Sequence, residues 1–250
     1  MSDLTTPSVE TTERTGWMNS LRRVVRVVYG PAQVFGELDR RPDWLVPLII
    51  CVLVAAIGSW ILLPTVILPA QREVLESRGL TEEQLEAARP WLEGSRPLYV
   101  GLATAVVFTA LGLVVVAGIL YLICAMLLGG DANFVRTFAV IVYSSVIVVP
   151  ESLVKIPIQL ITKSAEAHTS LALILSSPGA SSVFAYRFLY RFLDQVSDMF
   201  AIWKFILVAV GISVMFKFPR RKSYYVVGAL WLIWALGVAV VSGLTHRPTG

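Results

Sequence analysis

Hydrophobic and polar positions alternate along this chain in long blocks rather than in short periods. After a polar start, apolar residues at helical spacing (Trp17, Leu21, Val24, Val25, Val28) are interleaved with Arg22, Arg23 and Arg26. That pattern predicts a basic amphipathic helix over 17–29. Gly30-Pro31 ends it, because proline cannot continue the hydrogen-bond ladder. A second short segment follows over 32–38. Then come five apolar blocks, read as spans at 44–68, 98–128, 134–161, 199–216 and 224–244.

The connections have their own signals. Pro64 predicts a kink near the far end of the first span. The loop at 70–97 holds a helix over 71–77, broken by Gly79. A second begins at a Thr81–Gln84 capping box and stops at Pro90. Gly129-Gly130-Asp131-Ala132-Asn133 predicts a tight hairpin, with Asp131 or Asn133 capping the next helix. Residues 162–182 read as a linker, and the aromatic stretch 183–200 as an interfacial helix leading into span four. Two ridges of small residues, Gly101/Ala105/Thr109 and Ala235/Ala239/Gly243, predict close helix contacts.

The expectation is therefore an all-α, polytopic membrane helix bundle of five transmembrane helices plus amphipathic interfacial helices. It divides into a disordered tail at 1–16, a cytosolic amphipathic segment at 17–43, a membrane domain at 44–244 and a tail at 245–250. The extramembrane helical loops are 70–97 and 162–198.

Composition sharpens this reading. Charged residues make up 15% of the chain, against roughly 25% in soluble domains. The 34 residues from Pro97 to Gly130 carry no Asp, Glu, Lys or Arg. A soluble globule, a disordered chain and a disulfide scaffold are excluded. The first apolar run starts too late, near Leu45, for a cleavable signal peptide. The net charge of +4 reflects basic residues beside apolar runs, so it speaks for membrane orientation and against nucleic acid. Arg40 and Arg41 abut span one, and Lys217, Arg220, Arg221 and Lys222 fill one turn. The expected location is the cell membrane, N-terminus in the cytoplasm and C-terminus outside.

Chemistry is sparse. Cys51 and Cys124 sit in apolar runs as small hydrophobes. No cofactor or metal is expected, and no enzyme activity. Gly179-Ala180-Ser181-Ser182 has a Gly-x-Ser pattern, but His168 lies upstream and His246 in the tail, so a relay on a later span is missing. The charges inside apolar spans are the candidates. Glu151 and Lys155 are one turn apart on span three, about 25 and 31 Å along it from Phe134. Lys204 enters span four from the same side, with Asp198 before it. A structural pair, an ion or proton path, and a binding site are the three readings of this cluster.

Several residues together resemble a known pattern. Tyr29-Gly30-Pro31, Phe35 and Leu38, then Pro42, Trp44 and Pro47, look like the N-terminal signature of the Yip (Ypt/Rab-interacting protein) family. Phe134, Thr137, Phe138, Tyr143 and Pro150 resemble its third span, and Leu193-Asp194 through Phe200, Trp203, Leu207 and Gly211 the start of its fourth. The resemblance covers roughly 27–243 and implies five spans and a cytosolic N-terminus. Eukaryotic members are linked to Rab GTPases and membrane shaping. Val27 and Val28 replace the Asp and Leu usual before Tyr-Gly-Pro, so Rab-type binding is not carried over. The acidic insert at 70–97 is similar to bacterial members. The leading expectation is a non-enzymatic scaffold that meets the lipid bilayer and protein partners or second copies through its ridges. The alternative is a small transporter or channel component using Glu151, Lys155 and Lys204.

Overall fold

A computed structural model describes residues 16–77, 82–164, 169–175 and 182–245. The 1–15 tail, the Thr81 cap, His168, the Gly179–Ser181 stretch and the tail from His246 lie outside the described residues. Every regular element among the described residues is helical: α1 (Gly16–Tyr29), α2 (Pro31–Arg40), α3 (Leu45–Leu62), α4 (Leu68–Ser77), α5 (Glu82–Leu92), α6 (Arg96–Tyr121), α7 (Phe134–Ser145), α8 (Val148–Thr162), α9 (Phe184–Ser197), α10 (Met199–Met215) and α11 (Arg220–Thr245). Four helical stretches are long and apolar enough to cross a membrane: Leu45–Glu76, Arg96–Leu127, Phe134–Thr162 and Arg220–Leu244. The pair α9 and α10, bent by 53°, makes a fifth candidate.

The first helical stretch runs past its expected end at Leu68 to Glu76. A π-helical turn over Leu63–Ile67 absorbs the proline and runs on into α4. Proline deprives the Trp60 carbonyl four residues before it of its usual donor; at the next residue Thr65 Oγ1 donates back to the Ile61 carbonyl at 2.6 Å. The helix expected at 71–77 is thus a continuation of span one. Similarly, α5 passes through Pro90 to Leu92; a proline in the last turn removes a single ladder bond.

Span three is central: every residue from Thr137 to Ser145 is buried. Asn133 caps it, its side chain accepting from the Arg136 amide at 2.9 Å. Gly129 (φ +66°) takes the left-handed turn, and a side chain on Gly130 would collide with Phe216 and Phe218. The span breaks at Val146–Ile147, one turn ahead of Pro150. A proline ring crowds the carbonyl four residues back, which is that of Val146. The amides there bond three residues back instead, Val146 N to Tyr143 O at 3.3 Å and Val149 N to Val146 O at 2.9 Å. The halves then diverge. α7 packs on α10 and α6, whereas α8 leans on α3 and its π-helical turn.

α9 leads into α10 across a 53° bend. It packs lengthwise along α11, with Phe184 filling the notch at Gly243. Ala235 and Ala239 on the same ridge are fully buried. Leu63 occupies the space above Gly101 on the other ridge. At these positions the small residues serve contacts within one chain, which is the close approach that glycine and alanine permit.

Candidate functional site: two polar clusters at opposite ends of the bundle

At one end, α1 and α2 fold back on the start of span one. Helix α1 is held by its own arginines. Arg23 Nε donates to Glu37 Oε2 at 3.0 Å, and Arg26 Nη1 to Glu37 Oε1 at 3.0 Å. Arg23 Nη1 also donates to Asp43 Oδ2 at 3.2 Å. That oxygen accepts from Tyr143 Oη on span three at 3.2 Å and from the Ser20 hydroxyl on α1. Asp43 therefore ties α1, the mouth of span one and the central span into one node. Arg136 lies 3.1 Å from Asp39 Oδ1, an ion pair too oblique for a hydrogen bond.

Of the basic-helix candidates, Arg23 and Arg26 face protein carboxylates, and Arg22 is exposed with no ion pair among the described residues. Asp43 and Glu37 were not singled out by sequence reasoning. The signal for Glu37 was present: an isolated acid beside a helix with three arginines. Burial disfavours the Glu37 carboxylate, but hydrogen bonds from Arg23 and Arg26, with their charges, outweigh it and hold its pKa below the ordinary value. Burial likewise disfavours the Arg23 charge, and the Glu37 hydrogen bond with the surrounding negative charge outweighs it, so its pKa is raised.

The Glu37 shift has a sign. A depressed folded pKa stabilises above the unfolded pKa, and the contribution fades as pH falls through the folded value. Wild type is expected to exceed Glu37→Gln by about 0.5–1.5 kcal/mol at neutral pH, since the group is part exposed and solvent-screened. The two melting curves should converge as pH falls below the ordinary carboxylate range. A gap independent of pH down to full protonation would contradict this.

The α1 surface is divided. Ser20, Val24 and Val27 are buried against the bundle. Trp17, Met18, Leu21, Val25 and Tyr29 form an exposed apolar arc on the adjoining side. The other signature positions are structural. Gly30-Pro31 starts α2, Phe35 is fully buried beside Gly211, and Pro47 is buried in α3. Trp44 packs edge-on against Phe138, centroids 5.5 Å apart. Pro42 lies in the link between α2 and α3.

At the other end, Lys155 is the hub. Its Nζ lies 2.7 Å from Glu151 Oε1 and 3.0 Å from Asp198 Oδ2. Asp198 also caps α10 through the Ala201 amide at 2.9 Å and accepts from Thr169 at 2.5 Å. Ser170 donates to Asp194 at 2.7 Å. The structure thus brings Glu151, Lys155 and Asp198 together. Lys204 makes no ion pair with them and senses Glu151 only at longer range. A hydrogen-bonded acid–lysine–acid row can staple span three to span four.

Compared with known proteins, the chain matches one family model, described as the Yip1 domain, over residues 25–242. No curated protein and no solved structure matches it.

Proposed function

The chain belongs to the Yip1 domain family of multi-pass membrane proteins, and we propose that it is a non-enzymatic scaffold that organises the bilayer or recruits partners through α1. The observation that carries this reading is the divided surface of α1. One side is bonded to the bundle through Asp43 and Glu37, and the other presents an apolar arc exposed among the described residues. The helix is fixed beside Trp44, where span one begins, so that arc lies at interface depth. A helix so placed inserts its apolar side among lipid headgroups and displaces them laterally.

The same end gathers the 128–134 hairpin, which meets α2 through Arg136, and the 216–222 turn, where Lys222 Nζ donates to the Leu128 carbonyl at 3.4 Å. Arg40, Arg41, Lys217, Arg220 and Arg221 belong to this end. Their excess supports a cytoplasmic N-terminus in the cell membrane, where anionic lipid would meet Arg22. Protein partners of the scaffold would dock on the same arc.

A spin label at Leu21, in a chain with Cys51 and Cys124 replaced by serine, tests the reading. In bilayers it is expected to collide with oxygen far more than with a water-soluble nickel relaxer. The reverse preference would overturn it.

A further inference from the structure

A 3₁₀-helical turn over Leu171–Ile174 stands against the junction of α9 and α10. Three bonds pin it there. Thr169 donates to Asp198 Oδ2 at 2.5 Å, Ser170 to Asp194 Oδ1 at 2.7 Å, and the Leu171 amide to Ser197 Oγ at 2.9 Å. Ser170 also caps the turn, accepting from the Ala172 amide at 3.2 Å. Residues three apart eclipse in a 3₁₀ helix, so Leu171 and Ile174 share one edge, with Leu173 beside it. Ala172 faces the protein and is fully buried, whereas Leu171, Leu173 and Ile174 are 58%, 67% and 81% exposed.

Three adjoining aliphatic side chains held outward need an apolar cover, and the depth of the turn identifies it. Asp198 Oδ2, which accepts from Thr169, is also 3.0 Å from Lys155 Nζ. Lys155 lies about 31 Å along span three from Phe134, where about 30 Å of hydrocarbon ends. The turn is therefore at the boundary of acyl chains and headgroups, at the end of the bundle opposite α1. Leu153 and Ile161 on α8 and Met199 and Ile202 on α10 are exposed apolar side chains on the two spans that meet at Asp198. On a span such side chains meet lipid, so the aliphatic edge extends a lipid-facing surface. From Thr169 to Tyr186 the chain holds no Asp, Glu, Lys or Arg, and insertion of the turn dehydrates no charge of its own.

We propose that the Leu171–Ile174 turn is a lipid anchor, inserting its aliphatic edge into the bilayer leaflet opposite the one that α1 meets. This does not rest on the role of α1. Apolar burial of Leu171, Leu173 and Ile174 drives the insertion. Thr169 and Ser170 keep their bonds to Asp198 and Asp194, so their hydroxyls enter the boundary already satisfied. The anchor thereby fixes the start of span four at a set depth in the bilayer.

The test uses the full chain with Cys51 and Cys124 replaced by serine, carrying a bimane fluorophore on Ile174→Cys, in phosphatidylcholine nanodiscs that leave both faces open to solutes. Ile174 is exposed, so the label displaces no packed side chain. Its emission is expected to be blue-shifted, to lose intensity when the phosphatidylcholine has brominated acyl chains, and to resist aqueous iodide. A label on Leu171→Cys should behave alike, since the two residues share an edge. Quenching by iodide with none by brominated lipid would put the turn in water and overturn the proposal. Protection from both quenchers would overturn it too, because a second copy or another protein would then be the cover.

Discussion

Replacing Asp43 with alanine should release α1 from the bundle. One oxygen of this side chain accepts from Ser20, Arg23 and Tyr143. Removing it leaves a fully buried tyrosine with an unpaired hydroxyl and weakens the hold on Arg23, whose side chain is 19% exposed. Losing a charged partner in such a place costs about 2–4 kcal/mol, the lower part of the range applying because Asp43 is itself partly exposed. The expected result is a lower melting temperature and faster tryptic cleavage within 22–26. Tyr143→Phe should recover part of the loss in the double variant, since the orphaned hydroxyl is then gone. Unchanged cleavage and melting would show that Glu37 alone holds the helix.

Gly211→Ala is the second large effect. A methyl group at Gly211 would overlap Val140 on α7 and approach the Phe35 ring to 3.2 Å. Both neighbours are fully buried, so neither can swing into open space. Overpacking of this kind costs about 1–3 kcal/mol. The strain passes through Phe35 to α2, and from α2 through Glu37 to α1. Val140→Ala should restore most of the melting temperature by removing the obstructing methyls. Full stability of Gly211→Ala alone would mean that α7 and α10 are not in such close contact.

Much of this architecture was legible in the residues, and the illegible part has definite causes. Hydropathy found the apolar blocks because burial in lipid is a composition effect. The Asn133 cap, the Gly129–Gly130 hairpin and the Ala235/Ala239/Gly243 ridge were readable because each needs a local residue type. Pro64 did not disclose that the helix would pass through a π-helical turn into α4, where a loop was expected from residue 70. The aromatic stretch over 183–200 was legible as a helix leading into span four, but the seat of Phe184 at Gly243 on α11 was not, because the two are far apart in the chain. Asp43 was invisible in one dimension, because its partners Ser20 and Tyr143 stand 23 and 100 residues away. Glu151 and Lys155 were visible as an i, i+4 pair. That Asp198 would take the other side of Lys155, with Lys204 left out of the row, depends on where α8 lies after its break.

The central claim is that α1 is bonded to the bundle on one side and laid into lipid on the other. The most direct measurement is a nitroxide scan of residues 17–26 in bilayers, with Cys51 and Cys124 replaced. The account predicts a helical oscillation. Oxygen exposure should peak at Trp17, Leu21 and Val25, nickel exposure should peak at Asn19, and both should be low at Ser20 and Val24. A scan in which nickel dominates at Trp17, Leu21 and Val25 would contradict it.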